Sequence, residues 1–289
     1  MGAERRYLVN DVGLGLLWLS GVLTVFILFV IIVYVLWNGL SVISWDFLTQ
    51  APRSMMREGG IYPTIVATVL ITLIGVLVST PISVLAAVFM AEYAGENWLT
   101  GLVRFGADSL AGIPSIIFGL FGYLFFVYYL HMGFSLLAGG LTLALMALPI
   151  VMRVSEEAIK VVPDSYKHGS LALGASKWQT IAKVVLPTAL PGIITGIILG
   201  MGRAVGETAA VLLTAGSVAR SPLMNLDLNQ ILFLPVETMT VHVYILATEN
   251  LSMKNAFGTS AVLVIMVLAI TLTSNYLTRR YIKKLGGRR

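Results

Sequence analysis

Arg203 and Glu207 stand four residues apart inside an apolar run, with Thr208 beside them and Gly192, Gly196 and Gly200 earlier in the same run. A guanidinium is a planar donor fork that stays charged at physiological pH, so it suits a tetrahedral oxyanion, and a carboxylate one helical turn away can hold or neutralise it. On one continuous helix, Gly192, Gly196, Arg203, Glu207 and Thr214 share an arc of roughly 80°. Two readings of that face stay open. Small residues let a second helix approach closely, with the charged pair locking the contact. Alternatively the face lines a path for an anion, with Arg203, Glu207 and Thr208 as the residues it meets.

A second group lies in a polar stretch. Val162-Pro163-Asp164-Ser165 leads into Tyr166-Lys167-His168-Gly169-Ser170-Leu171-Ala172-Leu173, then Gly174-Ala175, then Ser176-Lys177-Trp178-Gln179. These residues read as two short helices. Asp164 or Ser165 can cap the first, Gly174 suits the left-handed position that ends it, and Ser176 with Gln179 matches a capping box for the second. By composition alone such an element also suits an amphipathic helix lying on lipid headgroups.

Other chemistries lack their residues. The chain has no cysteine, hence no disulfide and no thiolate. His131, His168 and His242 lie far apart without ligand spacing, so structural or surface roles are expected and no metal is proposed. Glu156-Glu157, near Arg153 and Lys160, reads as a solvated charge cluster. No G-x-x-x-x-G-K-[ST] loop occurs, so the chain cannot cradle ATP phosphates itself. No nucleophile and base recur within the apolar runs, which excludes an intramembrane enzyme.

The elements that must carry these groups follow from hydropathy. Over 289 residues, 57% are hydrophobic and 11% charged, and the mean hydropathy is +0.90. That composition fits lipid as solvent rather than a soluble globule. Six runs long enough to cross a bilayer occur at about 12–37, 64–90, 110–130, 134–152, 188–215 and 258–281. None alternates with a period of two, so helices are expected and a barrel is not. The first run follows Arg5 and Arg6 but has no small-x-small cleavage site, so it is expected to remain as a span. Pro81 predicts a kink or tilt in the second span, and Pro187 and Pro191 mark the start of the fifth. Long loops are expected at 38–63 and 216–257 on one side and 153–187 on the other, within a single domain, 1–289, whose core is about 64–281.

Charge sets the orientation. Of 19 Lys and Arg, fourteen fall on the side of both termini: Arg5, Arg6, Arg104, Arg153, Lys160, Lys167, Lys177, Lys183, Arg279, Arg280, Lys283, Lys284, Arg288 and Arg289. Arg53, Arg57, Arg220 and Lys254 fall on the other, and Arg203 within a span. The positive-inside rule therefore places both termini and the 153–187 loop in the cytoplasm, and accounts for a pI near 9.5 without nucleic acid.

Gly174, nine further residues, then Val184-Val185-Leu186-Pro187 resembles the cytoplasmic signature loop of permease subunits of ABC importers. That family's loop opens with Glu-Ala-Ala where this chain has His168-Gly169-Ser170, and has Ile where this chain has Val184. The resemblance runs on through Trp45-Asp46-Phe47-Leu48-Thr49, Gly59-Gly60-Ile61, Leu110-Ala111-Gly112-Ile113-Pro114-Ser115-Ile116, Leu148-Pro149-Ile150-Val151-Met152-Arg153, Arg203-Ala204-Val205-Gly206-Glu207-Thr208, and Leu234-Pro235 to Val243-Tyr244. In that order these motifs resemble phosphate permease subunits of the PstA type.

The resemblance implies an all-α, polytopic fold of six transmembrane helices, the type I, MetI-like permease fold, in a bacterial or archaeal cytoplasmic membrane. It implies that Tyr166, Lys167, His168, Leu171, Leu173, Gly174, Ala175, Lys177 and Trp178 meet an ATP-binding subunit, and that Arg203 lies on the substrate path. No cofactor is expected in this chain, ATP and Mg2+ being bound by the partner. The expected partners are a second permease of the PstC type, two ATP-binding subunits, an extracytoplasmic phosphate-binding protein and membrane lipid. A permease for sulfate or molybdate, and a proton-coupled carrier with Glu207 as the proton site, are the alternatives.

Overall fold

A backbone in hydrocarbon must satisfy its N–H and C=O groups within its own segment, and the apolar runs accordingly fold as helices. The computed structural model describes residues 3–286 except Met55, Glu96 and 223–226; Arg288 and Arg289 of the basic tail lie outside the described residues. In chain order the elements begin with α1 (Ala3–Leu40), a short α2 (Trp45–Thr49), and an antiparallel pair β1 (Pro52–Arg53) and β2 (Glu58–Gly59) that sets Pro52 opposite Gly59. Then come α3 (Tyr62–Val88), prolonged by a π-helical turn Phe89–Tyr93, α4 (Trp98–Gly112), α5 (Ser115–Gly122), prolonged by a π-helical stretch Tyr123–Tyr129, and α6 (Leu136–Lys160). There follow α7 (Asp164–Ala172), α8 (Lys177–Thr180), a π-helical turn Ile181–Val185 leading into α9 (Leu186–Val205), and α10 (Ala209–Thr214). The last are α11 (Leu228–Leu232), α12 (Met239–Thr248) and α13 (Met253–Gly286).

Among the described residues five helices are long and apolar enough to cross a membrane, and the α4–α5 pair, bent by 100°, makes a sixth when taken as one broken span. The bend follows from Pro114, which forces Ile113 into an extended conformation with ψ of 133°. Several sequence boundaries move as a result. Residues 98–112, expected as a cytoplasmic loop and the start of span three, are the helix α4. Span four runs on to Lys160, so Arg153, Glu156 and Glu157 ride on a helix rather than in a loop. The expected outer loop 216–257 is partly interior, since residues 236–242, which include the first turn of α12, are buried. Pro81 sits inside α3, whose span continues unbroken from Tyr62 to Tyr93.

The core forms around α6, which packs between α3 and α9. One apolar cluster joins Ala67 and Ile71 of α3, Leu143 and Met146 of α6, and Ala210 and Val211 of α10. A second, nearer the cytoplasmic end, joins Ala87 and Val88 to Met152 and Ile159, and to Ile181, Val185 and Ile193. The glycine stripe of α9 belongs to this packing: a β-carbon at Gly192 would run into Ala158 of α6, and one at Gly200 would lie 2.7 Å from Val151 Cγ2. The glycines therefore take the close-packing role of the two that their spacing allowed.

At the other extreme, the apolar stretch of α1 is exposed along its length and the helix meets the bundle near its end. There Gly39 abuts the Phe257 carbonyl and Tyr34 packs edge-on to the Phe257 ring at 5.7 Å. This contact joins the end of α1 to the beginning of α13, so the start of the first helix and the end of the last lie at the same end of the bundle, the end the basic residues mark as cytoplasmic.

Candidate functional site

The fifth span is two helices rather than one. α9 ends at Val205, Gly206-Glu207-Thr208 interrupt it, and α10 begins at Ala209. The interruption changes how the charged residues relate. Glu207 turns its side chain forward, and its Oε1 accepts the Ala210 N–H (3.2 Å), filling one of the orphan donors at the start of α10. Among the described residues no ion pair joins it to Arg203, and the Arg203 guanidinium has neither an ion pair nor a hydrogen bond. Arg203, Glu207 and Thr208 are all partly buried, and Arg203 occupies the last turn of α9, where the carbonyl ends of the helix favour a cation.

The break is stitched to the rest of the fold from one side by α12. Thr240 donates its hydroxyl to the Glu207 carbonyl (2.8 Å). The Met239 N–H donates to Thr68 Oγ1 on α3 (2.9 Å), and Val236 N–H to the Ala215 carbonyl (3.0 Å). A helix of ten residues cannot cross a bilayer, so α12 enters and leaves on one side. The carbonyl freed by the break thus finds a protein partner, while the cation beside it finds none among the described residues.

The cytoplasmic element folds as its turn chemistry predicts. α7 ends in the hydrogen bonds of a Schellman motif, Ala175 N–H to the Ser170 carbonyl (3.3 Å) and Gly174 N–H to the Leu171 carbonyl (2.9 Å), with Gly174 at φ +82°. The capping box forms: the Ser176 N–H donates to Gln179 Oε1 (2.8 Å) and the Gln179 N–H to Ser176 Oγ (3.2 Å). Ser170 and Thr180 hydroxyls, 2.9 Å apart, join α7 to the end of α8. One expectation fails, because neither Asp164 nor Ser165 caps α7; its N-cap is Pro163, and Asp164 instead lies 3.4 Å from Lys167.

Two contacts that sequence reading missed tie this element to the end of span two. Lys167 Nζ lies 2.8 Å from Glu92 Oε1, with side chains 19% and 10% exposed, and Lys177 Nζ stands 4.5 Å from the centre of the Tyr93 ring. Burial by itself pulls the Lys167 ammonium down, but Glu92 and Asp164 outweigh it and hold the group above its ordinary value. A raised lysine contributes fully below its unfolded value and loses that contribution only as pH climbs through the folded one, so on the alkaline side this tie outlasts pH 10.5. Glu92→Gln is expected to speed amide hydrogen exchange across residues 164–180 by about tenfold, the loss of one partly buried ion pair. Exchanging the charges, Glu92→Lys with Lys167→Glu, should slow it again; unchanged exchange in Glu92→Gln means the tie is idle.

This element leaves large apolar side chains exposed among its polar ones. Leu173 is 91% exposed and Trp178 55%, with Leu171 and Tyr166 also exposed. His168 is exposed as well, while Gly174 and Ala175 form the turn between the two helices. The nearby acidic pair splits in two. Glu157 stays exposed beside Arg153 (3.2 Å), as a solvated cluster should, but Glu156 is 1% exposed and bonds Arg104 of α4 (3.0 Å) and Lys160 (2.6 Å). Glu156 therefore clamps α4 to α6, a role its sequence neighbours hid because Arg104 lies 52 residues away.

Residues 79–287 match the family described as binding-protein-dependent transport system inner membrane component. A probable ABC transporter permease protein, YqgI, of Bacillus subtilis (strain 168) is 37% identical over 97% of this chain and 99% of its own. A phosphate transport system permease protein, PstA 1, of Mycobacterium tuberculosis (strain CDC 1551 / Oshkosh) is 32% identical over 93% of this chain and 88% of its own. In fold the chain is similar to the MetNI methionine ABC transporter in an inward-facing conformation, with a TM-score of 0.59 and 19% identity over 77% of this chain and 94% of the other.

Proposed function

The chain belongs to the binding-protein-dependent transport system inner membrane component family, and on that premise we propose that it is the permease subunit of an ATP-driven phosphate importer. Membership makes it a multi-pass membrane protein and a transport component rather than the ATP-hydrolysing one, and sets aside the stand-alone proton-coupled carrier. The single observation that carries the step to an anion is Arg203: a guanidinium with no partner among the described residues, at a helix break inside a span. An unpaired cation within a membrane protein is costly and marks an ion path. A partner-free donor fork is matched by a tetrahedral oxyanion, which several relatives' names specify as phosphate.

In this reading a second, homologous permease of the PstC type completes the path around Arg203, Glu207 and Thr208. Two ATP-binding subunits, which bind ATP and Mg2+, seat the exposed apolar side chains of α7 and α8. A phosphate-binding protein delivers the anion at the outer end. Closure of the ATP-binding pair moves the 166–178 element, and the Lys167–Glu92 tie passes that motion to α3 and so to the path.

In the reconstituted complex, phosphate presented on its binding protein is expected to stimulate ATP hydrolysis about fivefold or more, with sulfate inert; a shift of about 1 kcal/mol between two states suffices for fivefold. Stimulation by sulfate or molybdate in place of phosphate reassigns the substrate and keeps the architecture.

A further inference from the structure

Glu237 and His242 are buried to within 2% of their side chains, with Glu237 Oε1 2.8 Å from His242 Nδ1, and Glu237 Oε2 has no hydrogen-bond partner among the described residues. The pair brackets the start of α12: Glu237 precedes the N-cap Thr238, and His242 sits at the end of the first turn. Between them lie the groups that hold α12 in place, Met239 N–H on Thr68, and Thr240 Oγ1, which meets both Thr238 Oγ1 (3.0 Å) and the Glu207 carbonyl (2.8 Å).

Stability does not account for such a pair. Taking a carboxylate and an imidazole out of water costs several kcal/mol, the more so with one carboxylate oxygen unmatched, and apolar residues of similar volume usually serve a core as well or better. What a buried polar pair does supply is register, because only one placement of the helix satisfies it. Here the register matters at one point. If α12 slides or its first turn unwinds, Thr240 leaves the Glu207 carbonyl, and the interruption that carries Arg203 and Thr208 loses the contact that fixes its shape.

We propose that Glu237 and His242 are positioning residues for transport, which lock the first turn of α12 so that Thr240 holds the α9–α10 interruption in the conformation that receives the anion. The proposal rests on the reading of that interruption as the substrate path. It assigns no contact between the pair and substrate; the pair acts through Thr240.

The test is uptake of inorganic phosphate by the complete transporter as a function of phosphate concentration. Glu237→Ala and Thr240→Val should each raise the half-saturating concentration about fivefold, the worth of one hydrogen bond, with the maximal rate within about twofold of the unmodified complex. The double variant should be no worse than either single one, because both break the same link. Glu237→Gln, which keeps an acceptor for the imidazole, should restore most of the affinity. An unchanged half-saturation in Thr240→Val, or multiplicative effects in the double variant, overturns the proposal. Where Glu237→Ala fails to assemble, Thr240→Val and Glu237→Gln decide alone. Uptake by the unmodified complex tests the underlying reading separately: transport of sulfate and not phosphate removes phosphate, and the same variants are then compared on sulfate.

Discussion

On the phosphate-importer reading, Arg203→Gln is expected to lower phosphate uptake by the complete transporter about 100-fold or more, while the complex still assembles and inserts. The size follows from the geometry. Charge-assisted bonds from a guanidinium fork to an oxyanion contribute about 1.5–3 kcal/mol each, and a bidentate pair exceeds the 2.7 kcal/mol that 100-fold represents. Assembly survives because Arg203 makes no hydrogen bond or ion pair among the described residues for its loss to orphan. Arg203→Lys should recover only part of the uptake, since an ammonium keeps the charge and loses the fork. Radiolabelled phosphate uptake into proteoliposomes measures all three proteins, and normal uptake by Arg203→Gln removes this residue from the path.

The second large effect is at the other end of the chain of events. Leu173→Asp should abolish co-purification of the ATP-binding subunit without reducing the amount of this chain in the membrane. Leu173 is 91% exposed at the turn of the cytoplasmic element and buries nothing within the chain, so its replacement leaves the fold intact. In a docked complex, losing a buried leucine forfeits about 1.5–3 kcal/mol, and desolvating a carboxylate in its place adds to that. Together these weaken the interface about 100-fold. Co-purification at the unmodified level would move the docking site away from residues 166–178.

Much of this could be read from residue types. The capping box of Ser176 and Gln179 and the left-handed Gly174 are local chemistry, decided within four or five residues, and both formed. The six runs were legible because lipid imposes helices on any apolar stretch of that length. The interruption at Gly206-Glu207-Thr208 was not, because neither proline nor a turn cluster marks it and the flanking residues are as apolar as a continuous span. Its signal was Glu207 itself, a carboxylate three residues before an N–H it could cap. The interior placement of α12 carried a clearer sign, an apolar stretch too short to span, with Glu237 and His242 at its start. The Lys167–Glu92 tie and the Glu156 clamp had none. Each joins residues far apart in sequence whose meeting is set by how α3, α4 and α6 pack, and a charge pair leaves no periodicity to read.

Between Leu173 and the last turn of α3 every joint is closed. The Schellman turn fixes Leu173 to α7, the hydroxyl contact of Ser170 and Thr180 fixes α7 to α8, and Lys167 with Lys177 fixes both to Glu92 and Tyr93. Such an assembly has little compliance and behaves as a lever rather than a spring. A displacement applied at the exposed tip is then expected to reach the membrane helix instead of being absorbed as bending along the way. The stiffness also works in reverse, so that the state of the helix bundle dictates where the tip stands.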